Sequence, residues 1–251
     1  MKTLGVIPAR LESTRLPRKL LLSETGRTLL EHTHARACSA SSLDAVVVAT
    51  DSLEIAAAVK RFGGSVVMTG ACDSGTDRVA AVARDHAADV YVNIQGDEPE
   101  IDPASIDRLV EALEQDPACG MATLSAPLAD VAEWRDPGNV KLVAAATGRA
   151  LYFSRAPVPH DRDAPGEAVP DAARLHVGVY AYRRDFLLSF PDLPVSRLER
   201  TERLEQWRAL EAGVGIAVAE VPAHAVGVDT RADYDAFVAR ELSSRGLRRA
   251  A

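Results

Sequence analysis

The chain has 251 residues, 47% of them hydrophobic and 26% charged, with a formal net charge of −7. That length and apolar content suit one α/β domain, or one with an inserted lobe, and the acidic excess excludes a general nucleic-acid binder. No apolar stretch reaches the ~18 residues of a membrane span and no amino-terminal signal pattern is seen, so a cytoplasmic protein with no membrane partner is expected.

In chain order, Leu4–Ile7 reads as a short buried strand bounded by Pro8. The loop that follows places Arg10, Arg15, Arg18 and Lys19 close together with only Glu12 to offset them. In an acidic protein such a cluster is either a solvated loop or a pocket for a small anion. Ala45–Thr50 predicts a second strand, and Ile55, Val59 and Phe62 mark one face of the helix after it. Ser65–Met68 is a third strand. Val79, Val82, Ala83 and His86 give a helix with Thr76 as its expected N-cap. Asp89–Ile94 is a further buried strand, and Ile106, Leu109, Val110 and Leu113 form the next helix, opened by Pro103. Strands alternating with helices in this way predict a mostly parallel sheet covered by helices.

The second half changes character. Asn139–Ala145 and Ala150–Phe153 flank "ATGR", a hairpin signal. Ala156–Arg174 holds four prolines and few apolar residues, as a loop over a site would. His176–Arg183 alternates as a strand, and Leu198, Leu204, Trp207 and Leu210 suggest one helix ending at Gly213. This half reads as a lobe that completes a cleft, with a boundary near residue 125.

Two stretches end apolar runs in an acid. In Val92–Pro99, Asp97 follows a buried strand at the edge where α/β sheets bind ligands, and Gly96 lets the backbone approach closely. Asp97 is either a Mg²⁺ ligand or a turn carboxylate. In Val226–Thr230, Asp229 is either a second such carboxylate or the N-cap of a helix over Ala232–Arg240. Asp73–Arg78 offers the Ser74–Gly75 turn, whose N–H groups could meet a base or phosphate at a helix start. Its alternative is an ordinary capped loop. His32 and His34 read as surface histidines. Cys38, Cys72 and Cys119 are widely spaced and read as buried free thiols, not as a disulfide framework or zinc site. No phosphate-binding G-x-x-x-x-G-K-[ST], H-E-x-x-H or G-x-S-x-G occurs, and Gly213 and Gly215 lead into a strand rather than a dinucleotide helix.

"IPARLESTRLPRKLL", "VVVATDS", "SGTDRVA", "VNIQGDEP", "ALYFSRAPVP", "HVGVYAYR", "LERTERLEQWRALEAG" and "VGVDT" follow one another as in the CMP-Kdo synthetase family of cytidylyltransferases, which the chain resembles over nearly its whole length. The resemblance implies a Rossmann-like nucleotidyltransferase with a mostly parallel sheet and a smaller mixed lobe completing the acceptor site. It implies an enzyme that joins CTP and an acidic sugar into a CMP-sugar with release of pyrophosphate, dependent on Mg²⁺ and homodimeric. As a single domain, its nucleotide-binding part would be about 1–125, its acceptor-binding and dimerisation lobe about 126–225, and its closing metal-site segment about 226–251.

By the same resemblance, Arg10 and Lys19 would hold the triphosphate, and Ala9, Arg78 and Gln95 would surround cytosine and ribose beside Ser74 and Gly75. Asp97 and Asp229 would bind the metal, and Arg155, His176, Tyr180, Glu205 and Gln206 would line the acceptor pocket. The chain departs from the family pattern at Arg18 and Leu21, where glycine and proline are usual. It also departs in "TGACDSGT", where Asp73 precedes the serine and a nearby histidine is missing. These departures keep other acceptors in view: a phosphonate such as phosphonoformate, or another sugar acid. A silent nucleotide-binding sensor and a metal-dependent glycosyltransferase are the readings from other classes.

Overall fold

A computed structural model describes residues 1–163, 165–224 and 226–250, with residues 245–250 as backbone alone. The apolar runs of the first half become β1 (Thr3–Ala9), β2 (Ala45–Thr50), β3 (Ser65–Met68) and β4 (Val90–Asn93). They pair in parallel in the order β3-β2-β1-β4. Both faces of the sheet are covered, which is why these strands are apolar throughout. Val6, Val47 and Tyr91 pack into one layer, while Ile7, Val48 and Val92 pack into the other.

The crossovers are α1 (Leu29–Ala37), α2 (Leu53–Arg61), α3 (Gly75–Asp85) and, after β4, α4 (Pro103–Gln115). Each begins where a Thr28, Ser52, Ser74 or Asp102 side chain accepts a backbone N–H, an N-cap worth about 1 kcal/mol. α1, α2 and α4 cover the Ile7 face and α3 the Val6 face.

β5 (Cys119–Ala126) extends the sheet but does not pair with β4. After α5 (Val131–Arg135), the hairpin β6 (Lys141–Ala144) and β7 (Ala150–Ser154) leads to β8 (Arg174–Arg183), which inserts between β4 and β5, antiparallel to both. The turn of the hairpin uses Gly148 at φ 78, where a side chain would be strained. β8 has one consequence for the site. Because it runs against its neighbours, its first residues lie at the edge where β1, β4 and β5 end. Asn93 and Thr123 both sit opposite Tyr180, and Ser125 sits opposite His176.

The chain continues through α6 (Arg184–Ser189), α7 (Arg197–Glu202), α8 (Trp207–Glu211), the outer strand β9 (Gly215–Glu220) and α9 (Arg231–Ala250). No helix among the described residues is long and apolar enough to cross a membrane.

Several expectations need correction. β1 runs through Pro8 to Ala9. Ile94 N–H donates to Val6 O at 2.9 Å, so Pro8 faces the same side two residues on, beyond the last β4 pairing, where no ladder bond needs its missing N–H. The cap of α3 is Ser74, not Thr76; Ser74 Oγ accepts from Asp77 N at 3.0 Å, while the Thr76 hydroxyl turns inward to Glu205. The single helix expected across 198–213 is broken, because Arg203 adopts φ 56 and sends Leu204 into the core.

His32 is buried, within 2.8 Å of Thr25 Oγ1 and edge-on to Phe237, and His34 is half-buried against Phe62. Of the three cysteines only Cys119 is buried; Cys38 is exposed and Cys72 lies between. Ala164, inside the expected proline-rich loop, lies outside the described residues.

Candidate active site

The basic loop leaves β1 and closes on itself in a short 3₁₀ turn at Lys19–Leu21, anchored by buried Leu20. Arg18, just before the turn, holds φ 58 and ψ 25, and its guanidinium pairs with Glu54 at the start of α2. A left-handed backbone costs a non-glycine residue roughly 1–2 kcal/mol. This explains why glycine suits the position in the motif the chain resembles.

The turn aims Lys19 Nζ at three oxygens: Asp97 Oδ2 at 2.5 Å, Asp229 Oδ1 at 2.9 Å and Val228 O at 3.0 Å. Burial works to lower the Lys19 pKa, but the charges and hydrogen bonds of the two carboxylates outweigh it and hold the pKa above the ordinary lysine value. Neither carboxylate caps a helix. Asp102 caps α4, and at α9 Thr230 Oγ1 accepts from Asp233 N at 3.2 Å while Asp233 answers Thr230 N at 2.8 Å. Asp229 is thereby left to face Lys19 and, through Oδ2, Arg15 at 2.8 Å.

Around this clamp lies a cavity of about 750 Å³ lined by Ala9, Arg10, Lys19, Ser74, Gly75, Arg78, Gln95, Asp97 and Asp229. Every residue expected to hold the nucleotide or metal is therefore at one place. Arg10 makes no hydrogen bond or ion pair with a described residue, so its charge is available to a ligand. Arg78 is buried and locked by Thr69 Oγ1 at 2.6 Å and Asp51 Oδ2 at 3.1 Å, which makes it a fixed wall. Gln95 Nε2 donates to Gly178 O at 3.3 Å and ties the end of β4 to β8. The start of α3, at Ser74 and Gly75, lines the same space, where the helix dipole favours negative charge.

A second cavity, about 430 Å³, adjoins the first and is lined by His176, Tyr180, Glu205 and Gln206, with Gly138, Asn139 and Arg203. Glu98, Gly178 and Gly227 line both, so the two spaces share a wall. Tyr180 OH donates to Gln206 Oε1 at 3.2 Å, and Thr76 Oγ1 donates to Glu205 Oε2 at 2.6 Å. Burial pushes the Glu205 carboxyl up from its ordinary value, with the Thr76 hydrogen bond opposing it. Burial also raises the Tyr180 phenol and pushes His176 down to about 3, which keeps both uncharged near neutrality.

Arg155 departs from expectation. It lines the larger cavity rather than the smaller, and donates to Glu202 O at 2.7 Å and Pro137 O at 3.0 Å, bracing the end of α7 and the turn after α5.

Sequence reasoning missed Glu98, Asp51, Thr69 and Thr123. Glu98 had a signal, since it follows Asp97 in the same turn; burial and then the Asp97 charge push it up to about 8. Asp51, Thr69 and Thr123 act through contacts made only in the folded chain.

The arrangement is a cleft rich in arginine and lysine that holds two carboxylates and shares a wall with a second pocket lined by His176, Tyr180, Glu205 and Gln206. Residues 4–216 match the family model described as cytidylyltransferase. A 3-deoxy-manno-octulosonate cytidylyltransferase from Rhodopirellula baltica is 47% identical over 96% of this chain and 98% of its own length. One from Solibacter usitatus is 49% identical over 93% of this chain and 92% of its own. A solved structure of CMP:2-keto-3-deoxy-manno-octonic acid synthetase complexed with CTP superposes with a TM-score of 0.92 at 41% identity, covering 97% of this chain and 100% of that one. The chain therefore belongs to the 3-deoxy-manno-octulosonate cytidylyltransferase family and is an enzyme of the nucleotidyltransferase class.

Proposed function

We propose that the enzyme transfers CMP from CTP to 3-deoxy-manno-octulosonate (Kdo), with Mg²⁺ as its metal. The observation that carries this reading is Lys19 held between Asp97 and Asp229 in the larger cavity, which shares the Glu98, Gly178 and Gly227 wall with the smaller one. The donor set suits magnesium: Asp97 and Asp229 are hard oxygen ligands brought from distant parts of the chain to the side of Lys19. When bound there, the metal would neutralise triphosphate charge and stabilise the leaving pyrophosphate.

The residues of the chain account for the rest. Arg10, Arg15 and Lys19 attract the β- and γ-phosphates, and Ala9, Arg78, Gln95 and the Ser74–Gly75 turn enclose the nucleoside side. His176, Tyr180, Glu205 and Gln206 orient the sugar acid in the smaller cavity. An acceptor hydroxyl oxygen then bonds to the α-phosphorus. The bond to the bridging oxygen breaks, pyrophosphate departs with the electron pair, and the hydroxyl proton passes to water. No protein nucleophile is required; orientation and charge neutralisation lower the barrier.

A homodimer in the cytoplasm belongs to the same reading. The half-exposed Leu151 and Tyr152 of β7 are apolar surface that a second copy would cover. The test of function is pyrophosphate release with CTP, Mg²⁺ and, in parallel, Kdo, a sialic acid and phosphonoformate. Kdo is expected to give the highest kcat/KM. A tenfold preference for another acid, about 1.4 kcal/mol, overturns the acceptor, and no release with any acid overturns the transfer reading.

A further inference from the structure

Thr123 is fully buried on β5, where the register with β8 shifts between Thr123 and Leu124. Its Oγ1 lies 2.9 Å from His176 Nε2, 3.2 Å from Val177 O and 3.1 Å from Val179 O. A hydroxyl has one hydrogen, and the two carbonyls can only accept. If that hydrogen pointed at the ring, both carbonyl oxygens would face hydroxyl lone pairs in a site closed to water, where unmade hydrogen bonds are most costly. The hydrogen therefore goes to the carbonyls, and Nε2 must carry the proton that completes the contact. Burial keeps the imidazole neutral, so only one ring nitrogen is protonated. Nδ1 is then a bare lone pair. It makes no hydrogen bond with a described residue, and His176 lines the smaller cavity.

We propose that Thr123 is a positioning residue that fixes His176 as the Nε2–H tautomer, so that the pocket meets its ligand with a nitrogen able only to accept a hydrogen bond and thereby selects a hydroxyl-bearing acid over a compact oxyanion. The identity of that acid rests on the Kdo reading above; the tautomer does not. A sugar hydroxyl donates to Nδ1. A fully ionised phosphonate offers only acceptor oxygens to it, so this hydrogen bond is not made and lone pairs are left facing each other. Sites built to bond a hydroxyl reject analogues that lack one far more strongly than apolar pockets discriminate by size. The neighbouring Gln206 supplies the complementary donor: its Nε2 is buried with no partner among the described residues.

The experiment has two arms. In the first, long-range ¹⁵N–¹H correlation of ring-labelled histidine in the intact protein, with no acceptor added, reads the His176 tautomer, assigned by comparison with His176→Gln. The expected spectrum shows a protonated Nε2 and a bare Nδ1, and Thr123→Val is expected to mix the two tautomers. In the second arm, kcat and KM are measured for Kdo and phosphonoformate with saturating CTP in wild type, Thr123→Val and Thr123→Ser. The valine variant should lose about tenfold or more in kcat/KM for Kdo, mainly through KM, without losing activity on phosphonoformate. The serine variant, which keeps the hydroxyl, should stay within about threefold of wild type. A protonated Nδ1 in the wild-type spectrum overturns the proposal, as do equal losses in the two variants, which would make Thr123 a packing residue. If phosphonoformate is the better wild-type substrate, the Kdo reading and the selectivity assigned to the ring both fall, while the spectrum alone decides the tautomer.

Discussion

Acidification is expected to destabilise the protein through His176, and the size of the effect follows from the structure. Burial holds the folded pKa at about 3 against an ordinary value of 6.5. Between those values the unfolded chain binds a proton that the folded chain refuses, so unfolding becomes easier as pH falls. The stabilisation is fully present above about pH 6.5 and is lost as pH drops toward 3. Each full unit is worth about 1.4 kcal/mol, so lowering the pH from about 6.5, where the unfolded ring is already half protonated, to about 5 should remove roughly 1.6 kcal/mol. The assay is urea unfolding followed by tryptophan fluorescence, with a chelator present, for wild type and His176→Gln across this range. Subtracting the two curves cancels every other titrating group, including Glu98, whose raised pKa acts with the opposite sign. A wild-type-minus-variant difference that stays flat within about 0.5 kcal/mol would show that the ring titrates freely, and would refute the burial argument.

Other expectations are sharper at the clamp. Asp97→Asn should lower turnover by about a hundredfold or more with the fold intact by circular dichroism, since charge stabilisation of this kind is worth several kcal/mol; retention of more than about a tenth of the rate removes Asp97 from the metal role. Lys19→Ala should weaken CTP more than CMP in calorimetric titration, because CMP lacks the distal phosphates, and equal losses would place Lys19 elsewhere. Arg18→Gly and Arg18→Ala both break the exposed pair with Glu54, but only glycine relieves the left-handed backbone, so the glycine variant should be the more stable by about 1 kcal/mol in urea unfolding. The reverse order would mean that the backbone there is unstrained.

The parallel half of the sheet was legible because its information is local: apolar runs of strand length, helix faces at the right spacing, and short polar residues before them. Thr76 misled because its neighbour Ser74 is an equally good cap, and only the folded chain shows Thr76 committed to Glu205. The helix over 198–213 reads as continuous because Leu204, Trp207 and Leu210 keep a helical spacing and no Gly or Pro interrupts the run, while the left-handed Arg203 leaves no mark in composition. His32 looked exposed for want of any signal that Thr25 and Phe237 would close around it. The candidate site residues were legible through motif order, not through spacing. Thr123 behind His176 depends on β8 lying between β4 and β5, and Lys19 bridging the two carboxylates depends on the strap before α9 packing onto the turn after β4; no local pattern encodes either.

The clamp also joins distant parts of the chain. Lys19 and Asp229 are separated by 210 positions, and Val228 N–H donates to Asp97 O at 2.8 Å, so the strap leading into α9 is stitched directly onto the turn after β4. Buried Tyr234 and Phe237 pin that helix against the α1 layer, and the Tyr234 hydroxyl accepts from Glu24 N at 2.9 Å. Lys19 and Asp97 meet through the neighbouring strands β1 and β4, whereas their third partner, Asp229, comes from a segment far along the chain. The clamp is thus closed by the same segment that completes the buried layer beside α1.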